Sequence, residues 1–154
     1  ILSNKSNFTK FTDLLLYMAA RNENYQNIIK KNYRKKIILI DRFTDSTIAY
    51  QHFGMGLDKK IIRILNKFIL NKIEPDFIFL NIVNKKNLIY RLRSRNNKNR
   101  YDKFKFNFYN KVQNGYLKLA KNKNKYIIIN SNKSIFENKK IIINKIQKIL
   151  SLWK

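Results

Sequence analysis

The sequence predicts an α/β domain built on a parallel sheet, and three observations predict it. Short continuous apolar runs rich in β-branched residues recur along the chain, longer stretches with apolar residues at helical spacing lie between them, and polar breaks mark the junctions. In residues 11–33, Leu14, Leu15, Met18, Ile28 and Ile29 fall largely at helical intervals, which predicts one long helix with Thr12 as N-cap ahead of Asp13. Residues 36–41, KIILID, predict a strand buried on both faces. Residues 58–73 place Ile61, Ile62, Leu65, Phe68, Ile69 and Ile73 along one helical face, with Glu74, Pro75 and Asp76 as the stop. A second strand is expected over 77–83, a helix over 85–95, and a polar break over 96–99. A helix over 104–121 follows, carrying Phe108, Val112, Leu117 and Leu119, then a third strand over 125–130. The last helix, 139–153, carries Ile142, Ile146, Ile149, Leu150 and Trp153. Strands alternating with helices predict a doubly wound sheet with helices on both faces and ligands at the carboxyl ends of the strands.

At 154 residues, with 44% hydrophobic content, 3 Gly and 1 Pro, the chain has the make-up of a single compact domain. Zero Cys excludes a disulfide scaffold, a thiolate metal site and a Cys nucleophile, and fits a cytoplasmic setting. No apolar run approaches the roughly 20 residues of a membrane-spanning helix, so no membrane partner is expected. Lys+Arg 34 against Asp+Glu 9 gives a net charge of +25, which on its face points to a polyanion. The lysines are scattered through the chain, however, and Lys, Asn and Ile share A/T-rich codons. Base bias therefore accounts for much of the charge, and no specific nucleic-acid partner is expected. The chain opens on Ile1, without an initiator Met and without a signal pattern in residues 1–10, and reads as a fragment.

Asp41 and Arg42 come directly off the end of the first predicted strand, where a ligand would sit. An Asp there can hold a hydrated magnesium ion, and an Arg can fork two hydrogen bonds onto phosphate oxygens. Taken alone, the pair reads equally as a solvated strand-end ion pair. The residues that follow are more specific. The run DRFTDSTIAYQHFGMGLD, residues 41–58, resembles the signature of bacterial thymidylate kinases, DR[YFH]-x-x-S-[TS]-x-AYQ-x-x-G-x-G-[LI]. Upstream, LLLYMAAR, residues 14–21, resembles the family's monophosphate-site helix, and YLKLA, residues 116–120, is similar to its YLxLA segment. The resemblance covers nearly the whole chain in order. It implies a P-loop nucleoside monophosphate kinase-like fold and phosphoryl transfer from ATP to dTMP, giving dTDP.

The resemblance also implies roles by position. Tyr17 falls where the family has Phe stacking on the thymine ring, and Arg21, one helical turn on, where an Arg hydrogen-bonds the base. Plain core packing is the other reading of Tyr17. Arg42 takes the position that grips the monophosphate, and Asp41 the one near magnesium and the accepting phosphate. Ser46 and Thr47 occupy pocket positions facing the phosphate side and the base edge. Tyr50 corresponds to the ring that crowds the sugar's 2′ position, and Gln51 sits at the pocket's lip.

Arg91, Arg93, Arg95 and Arg100 surround the polar break at 96–99, and residues 91–103 correspond to the family's lid. Arginines on such a segment can bring positive charge to a transferring phosphoryl group, which makes Arg93, Arg95 and Arg100 catalytic candidates. A solvated basic face is the other reading. The usual lid ending Asp-Arg-x-Glu here reads Asn99-Arg100-Tyr101-Asp102.

No GxxxxGK[ST] occurs in the chain, nor a Glu-Pro-Gly-Gly segment. On that ground the chain is expected to be a C-terminal fragment lacking the P-loop, with N-terminal strands missing, inactive and unstable by itself. The family further implies a homodimer. The rival readings are another nucleoside or nucleotide kinase of the same fold, or a degenerate non-catalytic protein binding nucleotides or polyanions.

Overall fold

The structure, a computed structural model, describes residues 7–121 and 123–151. In chain order its elements are α1 (Lys10–Asn24), a π-helical turn (Tyr25–Ile29), α2 (Lys30–Asn32), α3 (Thr44–Thr47), a second π-helical segment (Ile48–Gly54) and α4 (Lys59–Leu70). They continue with β1 (Ile78–Ile82), α5 (Lys85–Arg93), a 3₁₀ turn (Arg100–Lys103), α6 (Phe106–Ala120), β2 (Tyr126–Asn130) and α7 (Ile135–Ser151). The chain divides into two compact units: Ile1–Glu74 with Asn97–Lys121, and Pro75–Asn96 with Asn122–Lys154.

In the first unit, the helix expected over 11–33 is continuous but not uniform. Its N-cap is Thr9, whose hydroxyl accepts from the Thr12 amide at 3.2 Å, so Thr12 sits inside the first turn. The π turn then widens the helix, and Tyr25 and Ile29 pack with Leu70 of α4. Asp58 caps α4, accepting from the Lys60 amide at 2.6 Å. The helix ends where Asn71 turns left-handed at φ 44°, ahead of the proline expected to stop it. Its buried side is Ile62, Asn66 and Leu70, while Phe68 is 87% exposed. The apolar residues of α4 are too many for one face, and a polar Asn takes a core position between two of them.

The strand expected over 36–41 does not form. Among the described residues only β1 and β2 pair, and a strand without a neighbour leaves its amides and carbonyls to water. Ile37, Leu39 and Ile40 are accordingly exposed, Leu39 by 82%. The predicted layered sheet is thus, among these residues, a two-stranded parallel one.

In the second unit, β1 and β2 pair in register from Ile78 opposite Tyr126 to Ile82 opposite Asn130. Leu80 and Ile129 are buried. Asn84 caps α5 by accepting from the Asn87 amide at 2.8 Å. α7 starts earlier than expected because Ser134 and Glu137 form a reciprocal cap. Glu137 accepts from the Ser134 amide at 3.0 Å, and the Ser134 hydroxyl accepts from the Glu137 amide at 3.2 Å. Trp153 lies outside the described residues. No helix among those described is long and apolar enough to cross a membrane.

Candidate functional site

The sequence-predicted pocket residues gather in the first unit, and the second π-helical segment organises them. A π turn inserts an extra residue into the helical repeat, a feature frequent at functional sites. Here it carries Tyr50 and Gln51. It lies tightly against α6 because two glycines permit it. A Cβ on Gly54 would stand 2.6 Å from Cε2 of Phe108, and one on Gly115 would stand 2.4 Å from Cδ2 of Phe53. Gly56 adopts φ 83°, open to glycine at little cost. The two glycines of the GxG signature therefore serve different ends: close approach at the first, chain reversal at the second.

Arg42 is itself left-handed, at φ 64°. A side-chain-bearing residue held there costs about 1–3 kcal/mol, strain that collects at ligand clamps. Its guanidinium carbon lies 4.8 Å from the centroid of the Tyr50 ring. Partial desolvation works against its charge, but Tyr50, Tyr116 and Asp41 together hold its pKa above the ordinary value. Ser46 and Tyr116 share a 2.5 Å hydrogen bond between hydroxyls, tying α3 to α6. Burial, only partly offset by the Ser46 hydroxyl, pushes the Tyr116 pKa up to about 12.

Arg21 reaches across from α1 with every contact directional. It donates to Asn66 Oδ1 at 2.8 Å, to Thr47 Oγ1 at 2.8 Å and to the Phe43 carbonyl at 3.1 Å. Burial lowers its pKa to about 10. Arg21 and Thr47, both expected at the base edge, are thereby brought into direct contact.

Tyr17 is half-buried on the same side of α1. Burial and the Tyr17 hydroxyl raise the pKa of Tyr101, against the pull of Arg100. Tyr101 also donates to Asp13 Oδ2 at 3.2 Å and accepts from Gln51 Nε2 at 3.5 Å. Its ring meets that of Tyr50 edge-on at 5.9 Å.

The arginines expected to act as one lid cluster have different settings. Arg93 closes α5 and Arg95 follows it in the second unit, whereas Arg100 belongs to the first. The Arg100 guanidinium forms an ion pair with the buried carboxylate of Asp13. Asn99 and Asp102, which replace the usual acids, form a capping box. Asn99 Oδ1 accepts from the Tyr101 amide at 2.9 Å, and Asp102 accepts from the Asn99 amide at 3.0 Å.

No group of three or more His, Cys, Asp or Glu suited to a metal exists among the described residues. Asp41, the carboxylate expected near magnesium, is exposed just ahead of α3.

Sequence reasoning missed Asp13, Asn66 and Tyr101, and gave Tyr116 no role. The signal for Asp13 was its helical phase with Tyr17 and Arg21, and for Asn66 its place between Ile62 and Leu70 at one-turn spacing.

Comparison with known proteins bears on the whole chain. The Thymidylate kinase family model matches residues 1–142. A thymidylate kinase of Sulfurihydrogenibium sp. (strain YO3AOP1) is 33% identical over 142 residues, covering 91% of this chain and 69% of the relative. One from Thermosipho africanus (strain TCF52B) is 35% identical over 136 residues, covering 88% of this chain and 67% of the relative. A crystal structure of thymidylate kinase from Ehrlichia chaffeensis superposes with a TM-score of 0.69 at 27% identity, covering 96% of this chain and 70% of that one. These matches correct the description of the chain as a C-terminal fragment with N-terminal strands missing. The family model matches residues 1–142, nearly the entire chain, so the fold is described as an α/β thymidylate-kinase-like one over that span, and the chain spans about 70% of the length of the relatives it matches. The expectation of inactivity rested on the absent GxxxxGK[ST] and is a matter for assay of the chain. With the signature residues gathered around the π-helical segment and the family pattern running from residue 1 to 142, the chain belongs to the thymidylate kinase family.

Proposed function

We propose that the chain catalyses phosphoryl transfer from ATP to dTMP, giving dTDP for pyrimidine deoxynucleotide synthesis, with the acceptor bound at the pocket around Tyr50. The observation that supports this reading is a set of contacts linking residues of α1, α3, the π-helical segment and α6: Arg21 to Thr47, Arg42 to Tyr50, Ser46 to Tyr116, and Gln51 and Tyr17 to Tyr101. Tyr17 offers its ring to the thymine, and Arg21 with Thr47 faces the base edge. Arg42 holds the monophosphate, its fork oriented by the Tyr50 face and by a fixed backbone. Ser46 faces the phosphate side, Tyr50 stands against the sugar, and Gln51 closes the lip.

An oxygen of the dTMP phosphate attacks the γ-phosphorus of ATP, the bond to the β-phosphate oxygen breaks, and ADP leaves. Such transfer asks for in-line positioning and charge screening, not for covalent help from the protein. Use of ATP and Mg²⁺ is typical of the family, and the ion supplies charge neutralisation on the phosphates when bound.

The test is ADP release by the purified chain with ATP, magnesium and dTMP, run beside calorimetric titration with dTMP and dCMP. Release that requires dTMP, with selective dTMP binding, is expected. No selectivity for dTMP would sink the reading.

A further inference from the structure

Asp13 is 2% exposed, on the side of α1 that carries Tyr17 and Arg21. A carboxylate so placed is costly unless it is paired, and a buried ion pair gives little net stability over an apolar replacement. What the pair does provide is direction. Oδ2 of Asp13 meets the Arg100 guanidinium and accepts from the Tyr101 hydroxyl at 3.2 Å. Both partners come from the single 3₁₀ turn Arg100–Lys103, some ninety positions along the chain. That turn is short, and it is also held by the Asn99–Asp102 capping box and by Tyr109, whose hydroxyl donates to the Tyr101 carbonyl at 2.6 Å. Tyr101 in turn stands against Tyr50 and Gln51 and interacts with Tyr17, three of the residues assigned above to the nucleotide pocket.

We propose that Asp13 is a positioning residue for the acceptor pocket: its carboxylate clamps the Arg100–Lys103 turn onto α1 and so sets Tyr101 as one wall of the dTMP site. Arg100 then serves as the clamp's counter-charge and not as a donor to the transferring phosphoryl group. The inference rests on the dTMP reading of the pocket and deepens it, since it names the residue that holds the pocket's far wall.

Three variants of the full chain test it: Asp13→Asn, Asp13→Glu and Tyr101→Phe. Calorimetric titration with dTMP and limited trypsin digestion at Lys98, Arg100 and Lys103 are the readouts, with melting followed in parallel. Asp13→Asn is expected to weaken dTMP binding at least tenfold and to speed cleavage in the turn. Asp13→Glu keeps the carboxylate and should recover part of both. Tyr101→Phe removes one oxygen and should weaken binding without speeding cleavage, because the Arg100 pair survives. A role in stability alone would lower the melting temperature of Asp13→Asn and leave the affinity of its folded molecules unchanged. Wild-type-like affinity in both Asp13→Asn and Tyr101→Phe overturns the inference. Should Asp13→Asn fail to fold, unchanged affinity in Tyr101→Phe overturns it by itself. A wild-type chain that binds no dTMP overturns the functional reading, and the positioning role with it.

Discussion

Arg42 holds its guanidinium 4.8 Å from the centre of the Tyr50 ring while its own backbone sits at φ 64°. The two facts together mean that the grip on phosphate proposed for Arg42 would be aimed by strain. Replacing Arg42 by Gly removes the side chain and relaxes the backbone at once. Relief of about 1 kcal/mol or more opposes the extra entropy glycine gives the unfolded chain, of similar size. The stability of Arg42→Gly in urea should therefore stay within about 1 kcal/mol of wild type. Its dTMP affinity should fall about 10- to 100-fold, the worth of a hydrogen bond to a charged group. A large stability loss would show that Arg42 holds the fold instead of the ligand.

Asn66 is the acceptor that lets α4 face a buried arginine. Asn66→Leu keeps the branching but leaves one arm of Arg21 without its 2.8 Å partner, at a cost of about 2–3 kcal/mol in urea unfolding. Adding Arg21→Met should return only part of that stability, because the apolar pair needs no partner but buried Thr47 and the Phe43 carbonyl lose their donor. It should not return dTMP binding. Recovery of both would remove Arg21 from the site.

The contrast between Asn66 and Phe68 shows what could be read from sequence and what could not. Element type was legible from period: α4, β1, α5, α6 and β2 all lie within the expected spans, and α1 starts one residue ahead of its own. The 36–41 run was misread because an apolar, β-branched run reports only that a strand would be favourable, and pairing is a property of neighbours. The face of α4 was misread because apolar residues surround that helix, and a hydrogen bond to Arg21 draws the polar Asn66 inward while Phe68 faces solvent. The candidate site was legible as a motif in Asp41, Arg42, Ser46, Thr47, Tyr50 and Gln51. Asp13 and Tyr101 were not, since their meaning lies in a contact between distant segments.

Gly115 opposes helix propensity to packing. In a helix interior Gly→Ala ordinarily stabilises by about 1 kcal/mol. Here the new Cβ would meet Phe53 at Cδ2, Cγ and Cβ, from 2.4 to 2.8 Å, and the last is fixed by the backbone and cannot give way without moving the π-helical segment. Overpacking costs of about 1–3 kcal/mol should outweigh the propensity gain, so Gly115→Ala is expected to lose stability. Gly115→Ala with Phe53→Ala should regain part of it. Urea melts of the single and double variants check this, and an unchanged single variant would show the packing to be slack.

Tyr116 gives the chain an alkaline limit whose sign follows from its folded pKa of about 12 against an ordinary 10. Below pH 10 the phenol is neutral whether folded or unfolded, so its contribution is fully present. Between pH 10 and 12 the unfolded chain releases the proton and the folded chain does not, and stability is lost at up to about 1.4 kcal/mol per pH unit. Arg21 acts in the opposite direction: its folded pKa of about 10 lies below the ordinary 12.5, so the cost of burying its charge relaxes over a similar range. Lysine titration overlays both, which makes the difference between wild type and Tyr116→Phe the decisive quantity. That difference should shift against wild type by about 2 kcal/mol between pH 9.5 and pH 11.5. The variant also loses the 2.5 Å bond to Ser46, an offset roughly constant below pH 10. Parallel stability curves for the two proteins across that interval would mean the phenol titrates normally, and that the contact between α3 and α6 is open to water.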